Sequence, residues 1–155
     1  IRMQTKDFSY RVLSPILPLS LSTKKPKNRK FPKEILTVGD ELRKMRMDKN
    51  LTQHQVAKQL NVNKNFIYEL ELNKRKATIY ALHKIYTFLG SIPKTLKIDK
   101  TTLQGKLFEH RIINGYTYKI LAEKIGLDKS TLARIEKGKT CKAETYLIVE
   151  KYLKN

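Results

Sequence analysis

Slid against itself by 65 positions, the sequence pairs Leu42 with Leu107, Arg46 with Arg111, Thr52 with Thr117, Ala57 with Ala122 and Glu71 with Glu136. In the same register Val56, Leu60, Val62, Ile67 and Leu70 fall on Leu121, Ile125, Leu127, Leu132 and Ile135, so the apolar pattern is duplicated along with the composition. A chain of 155 residues has room for one domain or for two small units. The repeat selects two copies of one unit.

Three positions in each copy mark where a short helix must stop or turn, and such places favour a residue that tolerates positive φ. Asn50, Asn61 and Asn73 hold them in the first copy; Gly115, Gly126 and Gly138 hold them in the second. Asn and Gly enter the left-handed region most readily, so the backbone path repeats with the core. Between the stops the apolar spacing is helical: Val38, Leu42 and Met45, then Val56 and Leu60, then Ile67 and Leu70, then Leu82, Ile85 and Leu89. Each copy therefore reads as four short helices, with no competing strand pattern. Thr52 and Gln55 form a capping box for the second helix, and Asn63 and Asp128 are placed to cap the third in their copies. In the fourth helix the pairing shifts to 64, with Leu82 on Tyr146, Ile85 on Val149 and Leu89 on Leu153. A surface turn that has lost one residue accounts for the change.

The net charge of +19 is spread along the chain, with +7 over 1–36, +5 over 37–93 and +7 over 94–155. A polyanionic partner is implied. The basic residues accompany folded-looking units instead of one amphipathic stripe, which favours nucleic acid over an anionic membrane. Polar residues interrupt every apolar run before it reaches membrane-spanning length. The stretch Val12 to Leu21 has the apolarity of a signal peptide, but Pro15 and Pro18 break it and no small-residue cleavage site follows. The lone Cys141 excludes an internal disulfide, and the three histidines give no metal-ligand spacing with it. A cytoplasmic protein is expected, without metal, cofactor or small-molecule substrate. No paired carboxylates, nucleophile triad or phosphate loop suggest an enzyme.

Thr52-Gln53, Ala57, Asn61, Ile67 and Glu71 set two helices across a tight turn, with Ala57 small enough for the second to cross closely over the first. The runs Leu51 to Glu71 and Tyr116 to Gly138 resemble the phage repressor and Cro (Xre-type) helix-turn-helix family. The resemblance implies an all-α fold of two tandem lambda-repressor-like units, each of four to five helices, over 37–93 and 102–155. A linker over 94–101 joins them, and a basic, poorly structured arm over 1–36 precedes them. It also implies double-stranded DNA as partner. The third helix then lies in the major groove and the second across the phosphates.

On the first recognition helix Ile67 and Leu70 face the core, so Lys64, Asn65 and Tyr68 point outward, with Phe66 and Glu69 on the flanks and Asn63 at the start. Lys64 can donate to guanine O6 and N7, Asn65 can pair with adenine N6 and N7, and Phe66 can meet a thymine methyl. A merely solvated face is the bland alternative. In the second copy Lys129, Ser130 and Arg134 take the places of Lys64, Asn65 and Glu69, with Thr131 beside them. The two helices should then read different bases and together an asymmetric site. Glu69 reads as an acceptor from cytosine N4 or, more simply, as a charge-balancing surface residue.

Gln53 opens the second helix, where the family's glutamine contacts a phosphate and braces the reading residues. Tyr118 replaces it in the second copy, which leaves a phosphate donor or a protein-facing unit as alternatives. Arg46 with Glu71, and Arg111 with Glu136, match a family ion pair that joins the first helix to the end of the third. Lys74, Arg75 and Lys76, and in the second copy Lys137, Lys139 and Lys142, follow the recognition helices and are phosphate candidates.

The stretch 91–101 reaches about 36 Å if fully extended, barely one turn of DNA. Ile92, Leu96 and Ile98 look better suited to packing on the first unit, and direct docking of the units is the competing arrangement. Lys24-Lys-Pro-Lys-Asn-Arg-Lys suits an arm along DNA or a disordered leader. Functionally, a transcriptional repressor leads, with a homodimer left open. An adaptor or antitoxin-like module that binds protein is the alternative.

Overall fold

A computed structural model of the chain describes residue 32 and residues 34–154. The basic run from Lys24 and the apolar stretch Val12 to Leu21 lie outside the described residues. Eight α-helices follow in order: α1 Val38–Asp48, α2 Gln53–Gln59, α3 Lys64–Glu71, α4 Ile79–Leu89, α5 Leu103–Asn114, α6 Tyr118–Ile125, α7 Lys129–Glu136 and α8 Ala143–Lys154. A short 3₁₀ turn, Lys94–Leu96, separates α4 from α5, and no strand occurs among the described residues. None of the helices described is long and apolar enough to cross a membrane.

The helix starts reproduce the repeat: α5, α6 and α7 begin 65 positions after α1, α2 and α3, and α8 begins 64 after α4. Local chemistry sets these starts. Thr37 and Asp40 form a capping box on α1, and Thr52 and Gln55 form one on α2. Asn63 Oδ1 accepts from the Asn65 N–H at 2.8 Å, and Asp128 Oδ1 accepts from the Ser130 N–H at 2.7 Å. The stops are also as read: φ is +53°, +51° and +56° at Asn50, Asn61 and Asn73, and +67°, +78° and +68° at Gly115, Gly126 and Gly138.

Two cores result. Leu42, Val56, Leu60, Ile67, Leu70 and Ile85 anchor the first; Leu107, Leu121, Leu132, Ile135 and Val149 anchor the second. Each such side chain contributes about 1.5–3 kcal/mol by leaving water. The small residues Ala57 and Ala122 are buried on the second helix of their copies, and they let the third helix cross closely. Gly39 serves the same end between α1 and α3, since a Cβ there would run into the Leu70 carbonyl oxygen.

The two copies also touch. Leu82 and Ile112 are buried, yet neither belongs to its own copy's core cluster. The contact between α4 and α5 is what buries them. Across it His83 Nδ1 lies 3.0 Å from the Ile112 carbonyl oxygen, so the nitrogen must carry the proton and donate. The His83 ring also lies against Gly115. Periodicity puts Leu82 on one face with Ile85 and Leu89, whereas in the structure it lies outside the first core, on the helix that meets α5.

The connecting stretch is not a free tether. Glu41 on α1 accepts from the backbone N–H of Lys94 at 3.1 Å and of Thr95 at 2.6 Å, which pins the 3₁₀ turn to the first copy. Pro93 is buried, while Ile92 and Ile98 line a cleft at the seam with Tyr86, Glu109 and Ile113. Of the two arrangements open in the sequence, the described residues show docking.

Candidate nucleic-acid interface

In each copy an arginine on the first helix holds the glutamate that ends the third. Arg46 grips Glu71 with two nitrogens, Nε at 2.5 Å and Nη2 at 2.8 Å, and gives Nη1 to the Leu51 carbonyl at 3.0 Å. Arg111 gives Nη1 to Glu136 at 2.6 Å and Nε to the Tyr116 carbonyl at 3.1 Å. Both contacts are charge-assisted, and the forked one from Arg46 fixes orientation as well as position. The expected pairs are therefore present, and they lock α3 and α7 onto α1 and α5.

The first residue of α2 and of α6 joins the same network. Gln53 Nε2 donates to Glu71 at 2.9 Å, and the Tyr118 hydroxyl donates to Glu136 at 2.7 Å. The Tyr118 ring also lies 3.6 Å beneath the Arg111 guanidinium. Burial first, and then the hydrogen bond to and charge of Glu136, hold the Tyr118 phenol above its ordinary range. Glutamine and tyrosine thus do the same structural work. They differ in what is left over: the Gln53 amide keeps a second N–H for a phosphate, whereas tyrosine has one proton and has committed it to Glu136.

On α3, Lys64, Asn65 and Tyr68 are exposed on the outward face, as the helical period requires. Phe66 is only half-exposed. It packs against the first core, meets Tyr80 edge-on with ring centroids 6.5 Å apart, and carries the Arg75 guanidinium 5.4 Å above its face. Arg75 Nε in turn donates to Glu69 at 2.7 Å. Nothing in the local pattern of α3 signals this cluster, because Tyr80 comes from the next helix. It gives Glu69 a charge partner, which is the simpler of its two readings. Lys74 lies 5.8 Å over the Tyr68 ring, and Lys76 is exposed beside it.

On α7, Lys129, Ser130 and Arg134 are exposed and Thr131 is half-buried. Arg134 Nη2 donates to the Thr140 carbonyl at 3.0 Å, so it folds back toward the loop that carries Lys137, Lys139 and Lys142. Where the first copy has a Glu69–Arg75 pair, the second therefore presents uncompensated positive charge. The rim of α7 is the more basic of the two.

The caps of α3 and α7 differ in a way that pH can read. Hydrogen bonding by the Ser130 side chain, then by its backbone N–H, holds the Asp128 carboxyl below the ordinary carboxylate range. A depressed folded-state pKa means stability that is present above the unfolded value and lost as pH falls through the folded one. Asn63 in the first copy has no such charge. Acid should loosen α7 before α3, and Asp128→Asn should remove the difference. Backbone amide exchange of the two helices as pH is lowered measures it, and equal loosening of both in the wild type would refute it.

A helix-turn-helix family model matches residues 42–95 and again residues 107–154, more than half of the chain in two segments. Comparison with curated proteins and with solved structures yields no match. Both matched segments contain a braced second and third helix of the kind described above.

Proposed function

Because the chain belongs to the helix-turn-helix family, in its Xre, Cro and lambda-repressor-like branch, we propose that it binds double-stranded DNA sequence-specifically and represses transcription by occupying its site. One observation carries this reading. Each copy presents the N-terminal turn of its third helix outward on a scaffold clamped by a buried Arg–Glu pair, and the exposed residues there differ between copies. Lys64 and Asn65 read guanine and adenine in one half, and Lys129 and Arg134 read guanine in the other, with Ser130 and Thr131 adaptable beside them. Gln53 and the basic residues Lys74, Lys76 and Lys139 hold phosphates. They add affinity and salt dependence without base preference.

Binding-site selection from random duplexes tests this. Wild type should yield an asymmetric two-part sequence. Lys64→Ala with Asn65→Ala should relax one half, and Lys129→Ala with Arg134→Ala the other, each costing about tenfold to a hundredfold on the selected site. If both variants keep the wild-type preference, the assignment of α3 and α7 as readers fails.

A second reading attaches to the second copy alone. The Tyr118 proton is committed to Glu136, and Ile120 is exposed elsewhere on α6, which suits a protein surface better than a phosphate. Under that reading, selection returns only one half-site and substitutions on α7 leave it unchanged.

A further inference from the structure

The seam between the copies holds a cleft as well as a contact. Its volume is about 500 Å³, within the usual range for a small-molecule site, and its walls come from α4, α5 and the stretch that joins them. Tyr86, Ile92, Pro93, Ile98 and Ile113 give it an apolar lining. Pro93 is buried, whereas Ile113 is 38 % exposed, an apolar side chain left in water by the docking that buries Ile112 beside it.

Charge at the cleft is one-sided. Lys94, Lys97 and Lys100 line it with the acid Glu109, and Lys100 Nζ donates to that carboxylate at 2.6 Å. Lys94 and Lys97 are exposed and have no ion-pair partner among the described residues. The backbone at Lys97 is unfavourable in its own right. Its φ is +47°, while every other residue of positive φ among the described ones is asparagine or glycine. The surroundings hold it there, because Glu41 accepts from the N–H groups of Lys94 and Thr95 and so fixes the 3₁₀ turn that Lys97 closes. Two free ammonium groups beside an apolar lining suit one kind of occupant. A neutral apolar molecule would leave the lysines unused, and a bare inorganic anion would leave the lining unused.

We propose that the seam cleft binds a small organic carboxylate with an apolar body, its head held by Lys94 and Lys97 and its body by Ile92, Ile98 and Ile113. Because both copies wall the cleft, binding is coupled to the docking of α4 on α5, and the coupling is reciprocal. Hexanoate, decanoate and phenylbutyrate serve as probes, titrated into the full chain without DNA and followed by backbone amide chemical shifts. At least one should bind saturably and move the amides of Ile92, Ile98 and Ile113 ahead of those in α3 and α7. Lys94→Ala with Lys97→Ala should weaken that binding about tenfold or more and leave the circular dichroism unchanged, since both side chains are already in water. Phenylbutanol should bind about tenfold more weakly than phenylbutyrate, and inorganic phosphate should leave these amides in place. Leu82→Glu with Ile112→Glu, which parts α4 from α5, should lose the site while both lysines remain. The proposal is overturned if none of the three carboxylates binds saturably. Phosphate acting as well as they do overturns it too, since charge alone would then suffice, and so does undiminished binding by either double variant.

Discussion

Replacing Arg46 with methionine is expected to destabilise the protein by about 3–5 kcal/mol, the cost of leaving a buried carboxylate without its partner. The stranded group would be Glu71, whose side chain is 2 % exposed and cannot turn to water. The two copies then predict opposite orders of harm. In the first, Arg46 is 14 % exposed against 2 % for Glu71, so losing the arginine is worse than losing the glutamate. In the second, Arg111 is 5 % exposed against 14 % for Glu136, so losing the glutamate is worse. Denaturant titration of Arg46→Met, Glu71→Met, Arg111→Met and Glu136→Met in the full chain measures all four. Arg46→Met with Glu71→Met should cost less than Arg46→Met alone, because no charge is left behind. The same order in both copies would show that burial of the stranded partner does not set the cost. Loss of DNA binding in these variants should follow loss of fold, with no change in base preference among molecules that remain folded.

The sequence made the helices and their ends readable because caps, stops and one apolar face are encoded within a dozen residues. Asn50 with Gly115, and Asn63 with Asp128, each announce a backbone event that the structure places where it was read. Legibility ends where two faces of one helix compete. Ala81, Leu82, Ile85, Phe88 and Leu89 are all apolar, and nothing local to α4 says that Leu82 serves a different neighbour from Ile85. The seam depends on Ile112 and His83, which are far apart in the chain and carry no shared period. Glu41 is a similar case. It reads as an acid favoured near a helix N-terminus, and its carboxylate proves to hold the backbone of Lys94 and Thr95. At the candidate interface, residue type hides a shared role: Tyr118 looks like a departure from Gln53, yet each donates to the glutamate that ends the third helix of its own copy. Exposure of Lys64, Asn65, Lys129 and Ser130 followed from the helical period. The Phe66, Tyr80 and Arg75 cluster did not, since its members come from two helices and the loop between them.

The seam has its largest consequence for spacing. With α4 docked on α5, the two recognition helices are held at one separation and one phase. Under the proposed DNA-binding reading, the two half-sites must match both. Inserting about five base pairs between them turns one half-site by about half a turn, since the duplex repeats every 10–10.5 base pairs. The wild-type protein cannot follow, so its affinity should fall by about a hundredfold or more, toward that of a single unit, as the effective concentration of the second unit is lost. Leu82→Glu with Ile112→Glu keeps good helix formers but sets two like charges in the seam, which should separate the units while each core stands. That variant should bind the uninserted site more weakly than wild type, because docking no longer pre-pays the ordering of the units. It should also lose less on insertion than wild type, since the stretch from Leu96 to Thr101, beyond the turn that Glu41 pins, can then extend toward about 20 Å. Titration of both proteins against the two duplexes at one salt concentration decides the matter. If wild type tolerates the insertion as well as the seam variant does, the docked arrangement does not govern how the copies meet DNA.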